Sequence, residues 1–304
     1  MINTQDKYVF GRGQKESERL NAQHKLLSKV TKNTLIHPSI SKESLIAVAD
    51  VGTGTGIWLK DVSKILDNPK PQPYLHGFDI SAAQFPTESP ADNPRFSVHD
   101  ITLPFPEEHW NRYDLVHVRL LVAALEETEY KTAIANLSAI LSMNPFIRMP
   151  HGSRQTLIDD PEPGGSLQWE EIDSESYSLA PPHPILQEIH RCFSLALPAE
   201  GKCFTASAKI YEECIAAGFL DVEKLDYRFD ADPKIEVELR LATESRLAAT
   251  IETLYASLLV RSGKVGSEEE ARKKAEELKE EHWRLCNEGI SPPLKVMRVV
   301  ARKP

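Results

Sequence analysis

The chain has 304 residues, of which 41% are hydrophobic and 27% charged, so it is long enough to bury a large core in one or two domains. Its formal net charge of -9 argues against a nucleic-acid partner, because nucleic-acid-binding proteins concentrate Lys and Arg. No secretory signal is visible, and no run approaches the roughly 18 apolar residues of a membrane span. The four cysteines include no C-x-x-C pair, so no metal site is indicated. We therefore expect a cytoplasmic protein without a bound metal.

The first predicted element is a helix over residues 15–32. Its apolar stripe contains Leu20, His24 and Leu27, with Gln23 beside it, and this spacing is typical of a helix with one buried face. Two interpretations of Gln23 and His24 stay open. Either they belong to a face packed on the core, or they help to close a ligand site.

A glycine-rich turn follows the first predicted strand, which covers residues 45–49. The turn has the sequence D-V-G-T-G-T-G over residues 50–56 and leads into a helix. Such an arrangement lets a ligand approach the main chain and exposes backbone N–H groups at a helix N-terminus. The dinucleotide-binding pattern G-x-G-x-x-G fits neither register, because Ile57 and Leu59 occupy the third glycine position. The spacing therefore disfavours a nucleotide-dependent oxidoreductase.

The turn resembles the first motif of the class I S-adenosylmethionine (SAM) methyltransferases, in which a strand-end acid precedes alternating glycines. The sequences ERLNAQHKLL and DLVHVRLL resemble a fungal branch that contains secondary-metabolite methyltransferases and related regulators. The resemblance implies SAM as cofactor and an α/β, Rossmann-like sheet of seven strands, with the last strand antiparallel and helices on both sides. It also implies that the acid lies near the amino end of the methionine moiety and that the glycines pack on the nucleoside side.

Two further strand ends carry acids. A second strand ends at Asp79-Ile80, where a carboxylate can accept hydrogen bonds from both ribose hydroxyls. A third ends at Asp100-Ile101, and the resemblance implies that this pair binds adenine through the acid and the apolar neighbour. The predicted cofactor-binding residues are Asp50, Gly52, Thr53, Gly54, Gly56, Asp79, Ile80, Asp100 and Ile101.

The alternation of residues 113–121, YDLVHVRLL, predicts a fourth strand, which is buried. His117 and Arg119 lie towards its carboxyl end, where parallel strands open onto a ligand crevice. Methyl transfer needs a general base only if the acceptor carries a proton at neutral pH, as a phenol or alcohol does. His117 is our first candidate for a catalytic base, and Glu170, at the end of the predicted fifth strand, is the second.

The remaining predicted elements complete the sheet and add helices around it. Helices are expected over residues 126–141, 184–197 and 207–217, around Leu247, Ile251, Leu254 and Leu258, and after a capping box formed by Ser267 and Glu270. Strands are expected over residues 163–171, from Gly218 onwards, and over 294–301.

We divide the chain accordingly. Residues 1–44 form an N-terminal helical segment covering the cofactor site, residues 45–230 and 291–304 form the SAM-binding core, and residues 231–290 form a helical insertion or cap. Residues 142–162 show neither helical nor strand periodicity, which is unusual for a loop inside a compact domain. This insert is either a lid or sequence that a correctly spliced message would lack. We favour the second interpretation, because both flanks match the family and the insert does not.

The leading hypothesis is a SAM-dependent methyltransferase acting on a hydroxyl, amine or thiol of a small molecule, with secondary metabolites as the expected class. The alternatives are a methyltransferase-like regulator that works through protein partners, and a catalyst of another reaction on the same scaffold. The absence of a basic nuclear-localisation run favours the enzyme. We expect a small-molecule acceptor and neither nucleic acid nor a membrane as partner, and we leave a homodimer open.

Overall fold

The computed structural model describes residues 13–66, 72–86, 93–143, 164–179, 182–228, 254–290 and 295–304. The strands in these ranges are β1 (Ala47–Val51), β2 (Tyr74–Asp79), β3 (Arg95–Val98), β4 (Leu115–Arg119), β5 (Ser166–Ile172), β6 (Leu220–Arg228) and β7 (Lys295–Arg302). The α-helices are α1 (Gln14–Val30), α2 (Ile57–Ile65), α3 (Tyr130–Ile140), α4 (Pro184–Ala199), α5 (Ala206–Ala216), α6 (Ala256–Arg261) and α7 (Glu268–Asn287).

The strands form one mixed sheet in the order β3-β2-β1-β4-β5-β7-β6. Strands β1 to β5 run parallel, whereas β7 pairs antiparallel with both β5 and β6. The predicted seven-stranded α/β sheet with an antiparallel last strand is therefore confirmed. The order reverses between β1 and β4, and ligands of open α/β sheets bind at the carboxyl ends of strands beside such a switch point.

Helices cover both faces of the sheet. On one face, Ile134 and Leu137 of α3 and Ile210 of α5 pack in one cluster with Val116 and Trp169 of the sheet, and all five are fully buried. On the other face, α2 contributes Trp58, Leu59 and Val62 to a second cluster, which includes Val48 and Leu115. Burial on both faces explains the near-continuous apolar sequences of the central strands. Among the described helices, none combines the length and apolarity needed to cross a membrane.

The N-terminal segment lies on the same face as α2. Helix α1 packs through Leu27 and Val30 on Val296 of β7. The chain then continues along the sheet, where the side-chain amide of Gln168 donates to the carbonyl of Leu35 at 2.9 Å and accepts from the amide of His37 at 2.8 Å. The described part of the N-terminal segment is thus joined to the sheet by packing and by hydrogen bonds.

The predicted insertion at 231–290 is described from residue 254 onwards, and Leu247 and Ile251 lie outside the described residues. Its helices α6 and α7 contact α4; Leu254 and Leu278 share a cluster with Phe193.

The flanks of the predicted insert at 142–162 lie together. The amide of Gly165 donates to the carbonyl of Ser142 at 2.9 Å, and the amide of Ser142 donates to the carbonyl of Tyr113 at 2.7 Å. Residues 144–163 lie outside the described residues, so the two interpretations of the insert stay open. The residues on the two sides of the insert, Ser142 and Gly165, nevertheless lie next to each other.

Candidate functional site

The glycine turn has a backbone that only glycine adopts easily. Gly52, Gly54 and Gly56 have φ values of +74°, +53° and +68°, in the left-handed region that disfavours residues with a Cβ. A Cβ on Gly54 would lie 3.1 Å from Leu20, and one on Gly56 would lie 2.7 Å from Phe96. The alternating glycines are therefore required by conformation and by packing, and α1 lies directly on the turn.

Most amide groups of the turn are bonded within the protein. Gly52 and Thr53 donate to the carbonyl of Phe78 at 2.8 and 2.9 Å, and Gly56 donates to the carbonyl of Thr53 at 2.9 Å. Gly54 donates to the Asp79 carboxylate at 2.9 Å. The expectation that the turn offers its N–H groups to a ligand is therefore wrong for these four. These hydrogen bonds hold the turn in one fixed shape.

The predicted nucleoside side is assembled at the ends of β2 and β3. The Asp79 carboxylate accepts from Gly54 and, at 3.1 Å, from the amide of Ser81. It is partly exposed and precedes Ile80, which is 40% exposed. The amide of His99 donates to the carbonyl of Asp79 at 2.7 Å, which brings the end of β2 beside the segment leading to Asp100.

Asp100 is partly exposed and held by a local turn. Its Oδ1 accepts from the amide of Thr102 at 2.9 Å and from the Thr102 hydroxyl at 2.7 Å. The following Ile101 is largely buried. The structure thus brings together two fixed, partly exposed carboxylates, each followed by an isoleucine.

Asp50 faces the protein. Its Oδ1 lies 2.7 Å from Nδ1 of His117, and its Oδ2 accepts from the Thr53 hydroxyl at 2.7 Å. His117 is fully buried and stacks on the Trp58 indole, with ring centroids 3.8 Å apart. A carboxylate only accepts hydrogen bonds, so Nδ1 of His117 is the donor. The structure therefore places His117 beneath the glycine turn, enclosed, although the sequence suggested a position at the crevice.

Glu170 belongs to a buried ion pair. Its Oε1 accepts from Nε and Nη2 of Arg298 at 2.9 and 2.5 Å, and its Oε2 lies 4.0 Å from Nε2 of His117. Burial acts to raise the pKa of the Glu170 carboxyl, but the charge of Arg298, together with the neighbouring His117 and Arg119, outweighs it and holds the pKa well below its usual range. A carboxylate held in this way is a weak proton acceptor.

Helix α1 meets the site through polar contacts as well as through Leu20. The Thr55 hydroxyl donates to the Asn21 side chain at 2.7 Å. His24 is 1% exposed; its Nε2 lies 3.0 Å from Asp61, and its Nδ1 lies 3.2 Å from Nη1 of Arg119. Burial, followed by the charge of Arg119, lowers the pKa of His24. The burial of His24 confirms the first interpretation, and its role in closing a ligand site stays a prediction.

Sequence reasoning missed Trp58 and Arg298. Arg298 is fully buried and also donates to the carbonyl of Thr34 at 2.7 Å, so it joins the last strand to the N-terminal segment. The signal that could have identified Arg298 is an arginine within the otherwise apolar residues 296–301. A charged residue there is rarely buried without a partner.

No protein-family model matches the chain. The chain is similar to the methyltransferase grgD of a Penicillium species, with 32% identity over 274 residues that cover 88% of each chain. The chain belongs to the class I SAM methyltransferases, in the branch of fungal secondary-metabolite enzymes. This methyltransferase is also similar to the N-methyltransferase sirN of Leptosphaeria maculans, with 32% identity over 145 residues, 48% of this chain and 49% of sirN. For the N-methyltransferase gliN of Aspergillus fumigatus, the identity is 31% over 135 residues, 44% of this chain and 46% of gliN.

SAM is therefore the cofactor of this methyltransferase, and the described residues fit it. Leu20 and Phe96 pack where Gly54 and Gly56 would carry a Cβ, so the turn beside the two acids has a fixed shape. The carboxylates of Asp79 and Asp100 supply acceptors for hydroxyl and amine donors. The exposed Ile80 beside them offers an apolar surface for a ring.

Proposed function

We propose that this methyltransferase transfers the methyl group of SAM to a nitrogen atom of a small secondary metabolite. The observation that carries this proposal is that neither predicted base is poised to take a proton. Nε2 of His117, the ring nitrogen that does not donate to Asp50, is enclosed in the protein interior, and Glu170 is held by Arg298. The names of sirN and gliN as N-methyltransferases support the same choice.

An amine acceptor does not need a base in the protein. SAM, when bound, supplies an already activated methyl group. A neutral amine attacks with its own lone pair: the new C–N bond forms as the S–C bond breaks, and the nitrogen then releases its proton to water. A phenol or alcohol is a weak nucleophile until its proton is removed, so it would need a base within hydrogen-bond reach. The protein's part is therefore to align and desolvate the reactants.

In this proposal the predicted cofactor-binding residues have two roles. Asp79 binds the ribose hydroxyls, Asp100 binds the adenine amine, and Ile80 and Ile101 pack beside the adenine ring. The others shape the turn without direct polar contact to the cofactor, namely Asp50, Gly52, Thr53, Gly54 and Gly56. The assignment of Asp50 to this second group follows from its hydrogen bonds to His117 and Thr53.

The test uses purified protein, SAM carrying a deuterated methyl group, and amine-containing and hydroxyl-containing metabolite fractions. Mass spectrometry should find the labelled methyl on a nitrogen of an amine. For a series of amine acceptors, the midpoint of the pH profile of kcat/KM should move with the pKa of the acceptor. A midpoint that stays constant across the series would instead report a titrating group of the enzyme and would overturn the base-free mechanism. Labelled methyl on oxygen alone would overturn nitrogen as the acceptor, and SAM binding without turnover on any fraction would favour the regulator.

A further inference from the structure

The loop that follows β4, residues 120–125, has an apolar and partly exposed surface beside the glycine turn. Residues 120–124 have the sequence LLVAA, and all five are partly exposed. Leu121 lies against the turn, because a Cβ on Gly52 would come within 2.9 Å of its side chain. Leu120 has a φ of +58°, in the left-handed region that residues other than glycine keep only where surrounding contacts hold them. The loop therefore lies, in a fixed shape, where the carboxyl ends of β1 and β4 open.

Glu171 binds the start of this loop. Its Oε2 accepts from the amides of Leu121 and Val122 at 2.9 and 3.1 Å, and its Oε1 accepts from the amide of Ile172 at 3.1 Å. Glu171 is fully buried. It lies on the opposite sheet face from Glu170, because successive side chains of a strand alternate. The carboxylate is thus bound by three backbone amides, two of which belong to the loop.

Lys202 binds the other end of the loop. Its Nζ donates to the carbonyl of Ala124 at 2.9 Å, and the residue is 7% exposed. Between the two ends, the amides of Ala124 and Leu125 donate to the carbonyl of Leu121 at 2.9 and 2.8 Å. A negative group therefore binds the first amides of the loop and a positive group binds a later carbonyl. Both are charge-assisted hydrogen bonds, which are stronger than neutral ones.

The bonds from the loop to Glu171 depend on the charge of the carboxylate. An ionised carboxylate accepts at both oxygens, whereas a protonated carboxyl carries a donor that cannot bond to an amide N–H. Burial raises the pKa of the Glu171 carboxyl to about 7, although the amide hydrogen bonds of Ile172 and Leu121 act to lower it. A change from pH 8 to pH 6 therefore protonates Glu171 and weakens its hydrogen bonds to the loop.

The other titratable side chains packed on this face of β5 are a phenol and two thiols. Burial, followed by the charge of Glu171, raises the pKa of Tyr130, which is fully buried. Burial also raises the pKa of the Cys203 thiol, and it raises that of Cys214 to about 12, so these three groups stay neutral between pH 6 and pH 8. The charged groups around them are Glu127, Glu129, Lys202, the Asp173–Lys295 pair and the Lys209–Glu213 pair.

We propose that Glu171 is a positioning residue of the cofactor site and that its ionised carboxylate is required for full SAM affinity. The carboxylate fixes the loop after β4, and the loop fixes Leu121 against Gly52 of the glycine turn. Glu171 acts through the loop and does not itself touch SAM. This inference rests on the proposed cofactor site at the glycine turn.

Hydrogen exchange in the unliganded wild type tests whether Glu171 holds the loop. The protection factors of the Leu121 and Val122 amides, corrected for intrinsic exchange, should fall between pH 8 and pH 6. The Leu120 amide donates to the backbone carbonyl of Glu170 at 2.9 Å, so it is the internal control and should keep its protection. Protection of the Leu121 and Val122 amides that does not change with pH would overturn the proposal.

Calorimetry of SAM binding tests the consequence for the site. The affinity of the wild type should fall by up to about tenfold per pH unit below pH 7. Glu171→Gln keeps the shape of the side chain without its charge, so at pH 8 it should bind SAM roughly tenfold more weakly than the wild type. The ratio of the two Kd values should then decrease towards one at pH 6. The titration of SAM itself is common to both proteins and cancels in this ratio.

Two further variants separate this role from a general loss of structure. Lys202→Met releases the other end of the loop, so it should weaken SAM binding but keep the pH dependence of the wild type. Glu277→Gln, on the exposed surface of α7, is the matched control and should bind SAM as the wild type does at both pH values. Saturating SAM favours the ionised carboxylate, so pH profiles of acceptor turnover measured at saturating SAM do not report Glu171.

A Kd ratio between Glu171→Gln and the wild type that stays constant from pH 8 to pH 6 would overturn the proposal, because a purely structural role does not depend on the charge. Wild-type affinity of Glu171→Gln at pH 8 would overturn it too. If Glu171→Gln does not fold, the exchange measurement on the wild type decides. If the wild type bound no SAM at pH 8, the proposed cofactor site itself would be rejected, whatever the exchange of the loop.

Discussion

Nδ1 of His117 lies 2.7 Å from Oδ1 of Asp50, and the two residues are register partners on neighbouring parallel strands. The second carboxylate oxygen of Asp50 accepts from the Thr53 hydroxyl. A continuous set of hydrogen bonds therefore runs from the buried imidazole to the glycine turn. Through it, His117 supports the site from inside the sheet.

Replacing His117 by Ala should lower the free energy of unfolding by about 1–3 kcal/mol, because Asp50 would be left buried without its main donor. Urea unfolding measures this loss. His190→Ala, on the partly exposed surface of α4, is the matched control and should change stability little. A folded His117→Ala protein whose kcat falls roughly 10²- to 10⁴-fold while its SAM affinity is unchanged would restore His117 as a general base.

Replacing Asp79 by Ala should weaken SAM binding roughly 10- to 100-fold, because acceptors for the ribose hydroxyls and for the Gly54 amide are lost together. Calorimetry with SAM measures the change. Asp226→Ala, on the exposed edge strand β6, should bind SAM as the wild type does. Unchanged affinity in a folded Asp79→Ala protein would remove Asp79 from the site.

Stability should fall in mild acid partly because of His282 on α7. Its side chain is almost fully buried beside Cys286, and burial lowers its pKa to about 4. The unfolded chain therefore takes up a proton near pH 6.5, whereas the folded chain does so only near pH 4. The contribution of the neutral ring to the free energy of unfolding is complete above about pH 6.5. It decreases by up to about 1.4 kcal/mol per pH unit as the pH falls from about 6.5 to about 4.

His282→Leu should remove this dependence. Its free energy of unfolding, measured in urea at pH 7.5 and pH 5, should fall less than that of the wild type. His190→Leu serves as the control and should follow the wild type. An equal loss in all three proteins would show that His282 does not contribute to the acid sensitivity.

Joining Met143 to Pro163 through two residues, Gly and Ser, should leave the fold intact. The hydrogen bond from the Gly165 amide to the Ser142 carbonyl already closes the connection between α3 and β5, and such connections normally need only about 2–6 residues. The thermal midpoint should be equal to that of the wild type or higher. A shortened protein that folds and binds SAM but loses turnover would identify the insert as a substrate lid.

The glycine turn and the acids at Asp79 and Asp100 could be predicted because each lies within a short local pattern: a buried strand followed by a characteristic residue type. The partners of His117 and Glu170 could not. Glu170 and Arg298 are 128 residues apart in sequence, and they meet only because β7 inserts beside β5 in one register. Register between distant strands is set by the whole packed sheet, so local periodicity does not reveal it.

The position of β7 between β5 and β6 determines when the sheet can assemble during synthesis. Strand β6 leaves the ribosome before β7 but has no neighbour to pair with until β7 arrives. Glu170 likewise lacks its counter-charge until Arg298 has been synthesised. The nascent chain therefore carries an unpaired strand while the residues between β6 and β7 are synthesised, and an uncompensated acid while the residues between Glu170 and Arg298 are synthesised. The seven-stranded sheet can therefore be completed only after β7 has been synthesised.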